Sequence, residues 1–215
     1  MTTPVLPVRT LTRDTLLEST LRALAVFAYI LLAAAVCNRW RLAPERLTLL
    51  ALLAIETFTL GLMVFAREAK FRDLSPAAAL STVLATFYFV FLNFAPGRHV
   101  VPEFVAVAVQ VAGMAWQVWS KYTLGRSFGL LPAHRGIVTS GPYAFVRHPI
   151  YFGYLVAHVG FLGANLSLRN ALVIVGLYSL QYVRMAFEER LLAAQSTEYQ
   201  EYQQRVRRRL VPWIL

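Results

Sequence analysis

The chain has 215 residues, of which 58% are hydrophobic and 15% are charged, and its mean hydropathy is +0.54. This composition excludes an ordinary soluble globular domain and predicts an integral membrane protein. The formal net charge of +10 does not indicate nucleic-acid binding, because membrane topology and attraction to anionic lipid head groups explain it more simply. The single cysteine, Cys37, excludes an intrachain disulfide.

Apolar runs along the chain predict an all-α protein with five or six transmembrane helices, because most of them approach the ~20 residues that span a hydrocarbon core. In chain order the runs are roughly Thr20–Cys37, Leu47–Ala66, Ala77–Phe94, Val101–Trp119, Ile150–Ala164 and Leu168–Phe187. The first run follows a charged N-terminal stretch and is too long for the core of a signal peptide, so we expect it to be retained.

The positions of Lys and Arg predict the orientation, because cations in short loops resist translocation. With both termini in the cytoplasm, the outside loops hold only Arg39, Arg41, Arg46, Arg98 and Arg169, and the remaining cations lie inside. This prediction gives a multi-pass protein, in the inner membrane if the source is bacterial, with membrane lipids around it.

The chain divides into residues 1–120, with about four transmembrane helices, and residues 121–215, in which polar residues interrupt shorter apolar runs. The loop from Lys121 to Pro149 is long for a compact membrane protein. Its glycines and prolines would break a continuous helix. Irregular backbone near a membrane persists only where it packs on protein or lines a wet cavity, so the loop predicts a site for a polar ligand.

Small residues follow Pro149 on or near one helical face, which permits close approach of a neighbouring helix. They are Gly153, Ala157, Gly160 and Ala164. A tight turn from Asn165 to Asn170 then predicts that the fifth and sixth runs form a helical hairpin.

An ionisable cluster ends the sixth run. Gln181, Arg184 and Glu188 lie at i, i+3 and i+7 on one face, with Glu189 beside them. The spacing predicts an ion pair between Arg184 and Glu188. Such a cluster in a membrane helix is a site hypothesis, and the alternative is that it marks where the helix leaves the bilayer.

The C-terminal segment from Thr197 reads as an amphipathic helix, with a capping box formed by Thr197 and Gln200. Tyr199, Tyr202 and Val206 share one side of it, which we expect to pack beneath the loop or on the membrane. We expect the run Arg207–Arg209 to contact lipid phosphates.

Glu56 lies in the middle of the second run, where an ionisable residue is costly. We expect it to pair with His158 or Gln110 inside the bundle, with a role in a substrate channel as the alternative.

Four ordered segments resemble the isoprenylcysteine carboxyl methyltransferase family. They are LGRSFG at Leu124–Gly129, RGIVTSGPYAFVRHPIY at Arg135–Tyr151, the Glu188 and Glu189 pair, and EYQEYQQRV at Glu198–Val206. The match covers Leu124–Pro212, whereas the first four runs resemble nothing in particular. Members of that family are membrane enzymes that use S-adenosylmethionine, and phospholipid N-methyltransferases share the C-terminal pattern. The resemblance implies that the loop and the hairpin enclose this cofactor on the cytoplasmic side.

The residue types suit S-adenosylmethionine, which presents an adenine, a ribose, a zwitterion and a sulfonium. An apolar slot would hold the adenine, and aromatic residues with polar tips would supply hydrogen bonds. Glu188 would bind the ammonium, and Arg147 would bind the carboxylate. The predicted cofactor-binding residues are Ile137, Val138, Gly141, Tyr143, Arg147, His148, Tyr151 and Glu188. Taken singly, Arg147 and the two tyrosines would be interface anchors.

The acceptor is predicted to be a lipophilic small molecule or a lipid, with a carboxylate as the first choice. A carboxylate is already ionised at neutral pH, so its methylation needs positioning rather than a general base. An amine would need Glu189 or His148 as a base. The predicted catalytic residues are Arg184, Glu189 and Arg147, with Arg184 pairing with an acidic acceptor.

Three other functions remain open from the sequence. One is a phospholipid N-methyltransferase. Another is an NADPH-dependent membrane reductase, because sterol reductases have a similar C-terminal pattern. The third is a non-catalytic membrane or transport component, which the isolated Glu56 would favour. No metal site and no nucleic-acid partner are predicted.

Overall fold

The computed structural model describes residues 9–65, 84–85, 87–124 and 137–211. Within these ranges the backbone is helical, with one isolated bridge between Arg98 and Leu166. The helices are α1 (Arg9–Leu42), α2 (Leu47–Phe65), α3 (Glu103–Leu124), α4 (Pro149–Ala164), α5 (Leu168–Gln195) and α6 (Thr197–Arg205). The predicted all-α fold is confirmed for this part of the chain.

Two predicted boundaries differ from the structure. α5 continues beyond Phe187 to Gln195, so the acidic pair Glu188 and Glu189 lies within a helix rather than at its end. The third apolar run is not helical as far as Phe94, because a 3-10 turn occupies Tyr88–Phe91 and Leu92 is extended. The earlier part of that run lies mostly outside the described residues.

One helix in the described part of the chain is long and apolar enough to cross a membrane. It is Arg22–Leu42, with 21 residues and a hydropathy of 1.7. Leu47–Gly61 and Pro149–Ala164 are shorter apolar helices. The number of spans and their orientation therefore stay predictions.

α3 and α4 form the closest helix pair, because glycines remove side chains from their contact. A Cβ on Gly113 would lie 2.6 Å from the backbone nitrogen of Ala157, and one on Gly160 would lie 2.7 Å from the carbonyl oxygen of Ala106. The small face predicted on α4 thus packs against α3. α4 and α5 are joined by a short turn as predicted, but the close contact expected for the hairpin is made with α3.

We expect Gly113→Ala to lower the free energy of unfolding by about 1–3 kcal/mol, because the added methyl meets backbone atoms that cannot move without separating α3 from α4. The matched control is Gly176→Ala in α5, where nothing lies within 4 Å of the added Cβ. Thermal unfolding of both variants in the same detergent measures the difference. Equal melting temperatures would contradict the packing described here.

A buried polar cluster closes the end of the bundle where α4 ends. The Arg46 side chain, only 5% exposed, donates to the Phe94 carbonyl at 2.8 Å and to Asn165 Oδ1 at 2.6 Å. Asn165 in turn donates to Thr48 Oγ1 at 2.8 Å. Arg46, predicted to lie in an outside loop, is therefore a buried tie between that loop and the α4–α5 turn.

Glu56 is buried in the bundle, but its partner differs from the two that were predicted. The Tyr88 hydroxyl donates to Glu56 Oε1 at 2.7 Å, and Tyr88 also hydrogen-bonds His158 Nε2 at 2.6 Å. Glu56 thus reaches His158 through a tyrosine. Gln110 bonds the Thr48 carbonyl at 3.3 Å instead.

Candidate functional site

The segment before α4 is shaped by glycine and proline. Gly141 begins a 3-10 turn with φ +58, and a Cβ there would lie 2.9 Å from Thr123 Oγ1. Both observations require glycine at this position. His148 then precedes Pro149, which occupies the first position of α4, where its missing N–H costs no hydrogen bond. This local structure turns residues 145–148 toward the C-terminal tail.

The tail, residues 206–209, runs alongside this segment. The backbone nitrogen of Arg147 donates to the Arg208 carbonyl at 2.9 Å, and that of His148 donates to the Arg209 carbonyl at 2.9 Å. The Arg147 guanidinium adds bonds to the Val206 and Arg207 carbonyls at 2.8 and 2.7 Å. Arg147 therefore holds the tail against the start of α4.

Glu189 on α5 completes this attachment. Its Oε1 accepts from Arg147 Nε at 2.8 Å and from His148 Nε2 at 3.1 Å. Its Oε2 accepts from Arg147 Nη2 at 3.2 Å and from Arg209 Nη2 at 2.9 Å. We call Arg147, His148, Glu189 and Arg209 the Glu189 clamp, because together they join the loop, α5 and the tail.

The clamp keeps Glu189 ionised. Burial alone would raise the pKa of this carboxyl, but the hydrogen bonds from His148, Arg147 and Arg209 outweigh burial and hold the pKa well below its usual range. Since an ionised carboxylate only accepts hydrogen bonds, His148 must carry a proton on Nε2. A carboxylate with a lowered pKa and several donors is a poor base.

α6 packs beneath the loop, as predicted. Tyr199, Tyr202 and Val206 form a buried cluster against Ile137, and the Tyr202 hydroxyl donates to the Tyr143 carbonyl at 2.8 Å. The predicted cap is wrong by one residue, because Ser196 rather than Thr197 caps the helix. The Ser196 hydroxyl accepts from the Tyr199 backbone nitrogen at 3.2 Å.

A second group of polar side chains lies beside the clamp and is not bonded into it. Tyr143 is buried, Tyr151, Arg184 and Glu188 are partly buried, and their charges and dipoles influence one another. Burial, together with Tyr202 and Glu188, raises the pKa of Tyr143, so its phenol stays protonated. The predicted ion pair is not formed: within the described ranges no cation forms a salt bridge with Glu188. Glu188 is therefore available to a ligand.

The structure gives two of the predicted catalytic residues a different environment. Four hydrogen bonds within the chain occupy the Arg147 guanidinium, which has five N–H groups. It does not fit the predicted role of binding a cofactor carboxylate. Glu189 likewise does not fit a general base, because the clamp stabilises its ionised form.

Of the remaining predicted residues, some pack against other elements and others lie outside the described ranges. The Ile137 side chain packs on the α6 cluster, and Val138 is partly buried. Residues 125–136 lie outside the described residues. They include Arg126, His134 and most of the glycines in the first two motif segments. Sequence reasoning missed Arg209, which was assigned to lipid contact. Its Nη2 bonds Glu189, and its guanidinium stacks over the Tyr182 ring at 4.8 Å.

The fold and the site define an α-helical protein in which Glu188, an acid with no salt bridge among the described residues, interacts electrostatically with Tyr143 and Tyr151. Such a site suits a polar ligand that carries a cationic group. The model of the isoprenylcysteine carboxyl methyltransferase family matches residues 105–194. Over these residues the chain is thus similar to that methyltransferase family, in agreement with the resemblance of its motifs.

A curated relative supports the same assignment. Over 73 residues the chain is 40% identical to methanethiol S-methyltransferase 1 of Bradyrhizobium diazoefficiens. The aligned part is 33% of this chain and spans only 24% of the relative. The similarity therefore concerns a shared segment rather than two whole proteins.

Proposed function

We propose that this protein is a membrane-embedded methyltransferase that transfers a methyl group from S-adenosylmethionine to a lipophilic acceptor. The observation that carries the proposal is the carboxylate of Glu188, which has no salt bridge among the described residues and interacts electrostatically with Tyr143 and Tyr151. A carboxylate without a partner cation suits the ammonium of an amino acid ligand. Partly buried aromatic rings suit an adenine or a ribose.

If the Glu189 clamp only holds the tail in place, the remaining polar residues fit the methyl donor. Glu188 would bind the ammonium, Tyr143 and Tyr151 would supply phenol hydrogen bonds, and the backbone of Ile137 and Val138 would border the adenine. When bound, the donor supplies an electrophilic methyl on a sulfonium, which a nucleophile displaces with a neutral thioether as the leaving group. His148 and Arg147 act here as positioning residues that hold the tail as one wall.

Arg184 is assigned to the acceptor side of the site. It lies one helical turn before Glu188 and makes no salt bridge within the described residues. It interacts electrostatically with Tyr151. A carboxylate acceptor, as in the family, or a thiol acceptor, as in the relative, would place negative charge beside this guanidinium. Positioning and exclusion of water would then supply the rate acceleration.

The proposal includes a multi-pass arrangement with both termini and the site on the cytoplasmic side. Large apolar side chains point outward on several helices, among them Phe27 (60% exposed), Phe104 (74%) and Leu172 (62%). Such exposure on water-soluble helices would be costly, whereas lipid covers it at no cost. An acceptor dissolved in the bilayer could then enter between helices.

Calorimetric titration of the purified protein with S-adenosylmethionine, its demethylated product and NADPH tests the proposal. We expect the first two to bind and NADPH not to bind, because the Glu188 site offers an anion to an ammonium, which NADPH lacks. Binding of NADPH alone would favour a reductase and overturn the proposal. Binding of none of the three would favour a non-catalytic protein.

A further inference from the structure

A cation, Lys121, lies inside the bundle and has few polar contacts. It is partly buried near the end of α3, and its ammonium lies 4.4 Å from the centre of the Phe58 ring and 5.3 Å from that of Tyr154. Aromatic faces on two sides stabilise a cation. Among the described residues no carboxylate forms a salt bridge with Lys121, and its hydrogen bond to the Tyr154 hydroxyl is long, at 3.4 Å.

Within the described residues, the surrounding hydrogen bonds leave most of the Lys121 N–H donors unused. The Thr59 hydroxyl donates to the Ile55 carbonyl at 2.9 Å, so the Tyr154 hydroxyl must donate to Thr59, 2.9 Å away. The oxygen of Tyr154 then faces Lys121 as an acceptor. An ammonium has three N–H groups, and this arrangement engages one of them. The tyrosine thereby contacts Lys121 without supplying a negative charge to it.

A second unpartnered group lies one helical turn away on the same face of α3. Gln117 is fully buried, and within the described part of the chain neither its amide nitrogen nor its amide oxygen has a hydrogen-bond partner. Buried amides are normally bonded, and leaving one unpaired is costly. Gln117 and Lys121 thus present a neutral and a charged N–H donor at i and i+4, where side chains are neighbours.

Among the described residues, the acid that acts electrostatically on Lys121 is bonded elsewhere. Burial lowers the pKa of Lys121 to about 7, and the charge of Glu56 opposes this shift only in part; Glu56 Oε1 accepts from the Tyr88 hydroxyl. A bound anion would therefore favour the charged form of Lys121.

The position of Lys121 connects it with the proposed methyl-transfer site. Tyr151 and Tyr154 lie at i and i+3 on α4, and Tyr154 interacts electrostatically with both Tyr151 and Arg184. Tyr154 therefore links Lys121 to Tyr151 and Arg184, which lie on the acceptor side of the proposed site.

We propose that Lys121 and Gln117, together with Arg184, bind the anionic end of the methyl acceptor, which is a carboxylate or a thiolate on an apolar body. This conclusion depends on the methyltransferase function proposed above. The Lys121 charge supplies a direct partner for a carboxylate. For a thiol the same charge favours the ionised form, which is the nucleophile. An amine acceptor is disfavoured, because like charges repel.

Binding of matched ten-carbon probes tests the proposal without requiring activity. Decanoate and decanethiol carry the two candidate groups, decanol is the neutral control, and decylamine carries the opposite charge. We expect the wild-type protein to bind decanoate or decanethiol more tightly than decanol. Lys121→Met should weaken that binding about tenfold or more and leave decanol unchanged, whereas Lys121→Arg should retain the preference. The probe that loses affinity in Lys121→Met shows whether the acceptor group is a carboxylate or a thiolate.

The outcomes separate this proposal from the one on which it depends. Equal affinity for decanoate, decanethiol and decanol, or tighter binding of decylamine, would overturn it. Unchanged decanoate and decanethiol affinity in Lys121→Met would do the same. Titration of Lys121→Met with S-adenosylmethionine should give the wild-type affinity and show that the variant is folded. Failure of the wild-type protein to bind S-adenosylmethionine would instead refute the methyltransferase function, whatever the probes show.

Discussion

Glu189→Gln is expected to lower the free energy of unfolding by about 3 kcal/mol and to release the C-terminal tail. The Glu189 side chain is only 4% exposed and lies between Arg147, which is 9% exposed, and Arg209. A neutral amide cannot balance two guanidinium groups, so the substitution leaves buried positive charge without a partner. Denaturant unfolding in detergent measures the loss of stability.

Limited trypsin digestion measures the release of the tail. In the wild-type protein the Arg209 side chain is bonded to Glu189 and stacked on Tyr182, so cleavage after this residue should be slow. Cleavage should become faster in Glu189→Gln. Glu198→Gln is the matched control, because Glu198 is an exposed acid in the first turn of α6. The same stability and the same cleavage rate in both variants would show that the clamp does not hold the tail.

The pH dependence of stability follows from the same carboxylate. The pKa of Glu189 in the folded protein lies below the ordinary value of 4.5, so its contribution is fully present above about pH 4.5 and is lost as the pH falls through the folded pKa. The wild-type protein should therefore lose stability on acidification more steeply than Glu189→Gln, which has no proton to bind at this position.

The helical fold and the irregular segment before α4 were predictable from the sequence, because both depend on local patterns. The apolar runs gave α2 and α4 almost to the residue, and glycine and proline predicted the irregular segment before Pro149. Gly141 illustrates the reason. A left-handed backbone and a close neighbour impose glycine, and such constraints are visible in a single sequence.

The roles within the site were not predictable, because they depend on contacts between distant segments. Glu188 and Glu189 are neighbours in sequence and both looked like ligand groups. The structure turns Glu189 toward Arg147 and Arg209, which come from a loop and a tail. It gives Glu188 no salt bridge among the described residues. The 100° rotation between adjacent helical residues separates the two acids. No periodicity indicates which of them meets the tail.

The packing of α4 shows the same limit. Its small-residue face predicted a close contact with a neighbouring helix. We expected that neighbour to be α5, which follows α4 after a short turn. The face is instead filled by α3, because Gly113 on α3 faces Gly153 and Ala157 and removes its own side chain from the contact. A small face predicts that a neighbour comes close, and the identity of the neighbour depends on the complementary glycine.

Glu188→Gln is expected to weaken binding of S-adenosylmethionine about tenfold to hundredfold while leaving stability unchanged. The substitution removes one charge-assisted hydrogen bond to an ammonium, which contributes roughly 1.5–3 kcal/mol. Glu188 is partly buried and makes no salt bridge among the described residues, so an amide of the same shape leaves no cation unpaired. Equilibrium binding of labelled donor and thermal unfolding measure the two quantities on one preparation.

The adjacent acid provides the sharpest comparison for this substitution. Glu189→Gln removes the same charge from the next residue, and we expect its first effect on unfolding and tail cleavage, whereas Glu188→Gln should change donor affinity alone. Glu188→Asp keeps the charge but shortens the side chain by one methylene, so it should retain part of the affinity for S-adenosylmethionine. Normal donor affinity in Glu188→Gln would place the ammonium site elsewhere. Loss of stability in that variant would mean that Glu188 also belongs to the clamp, because only a bonded carboxylate contributes to folding in this way.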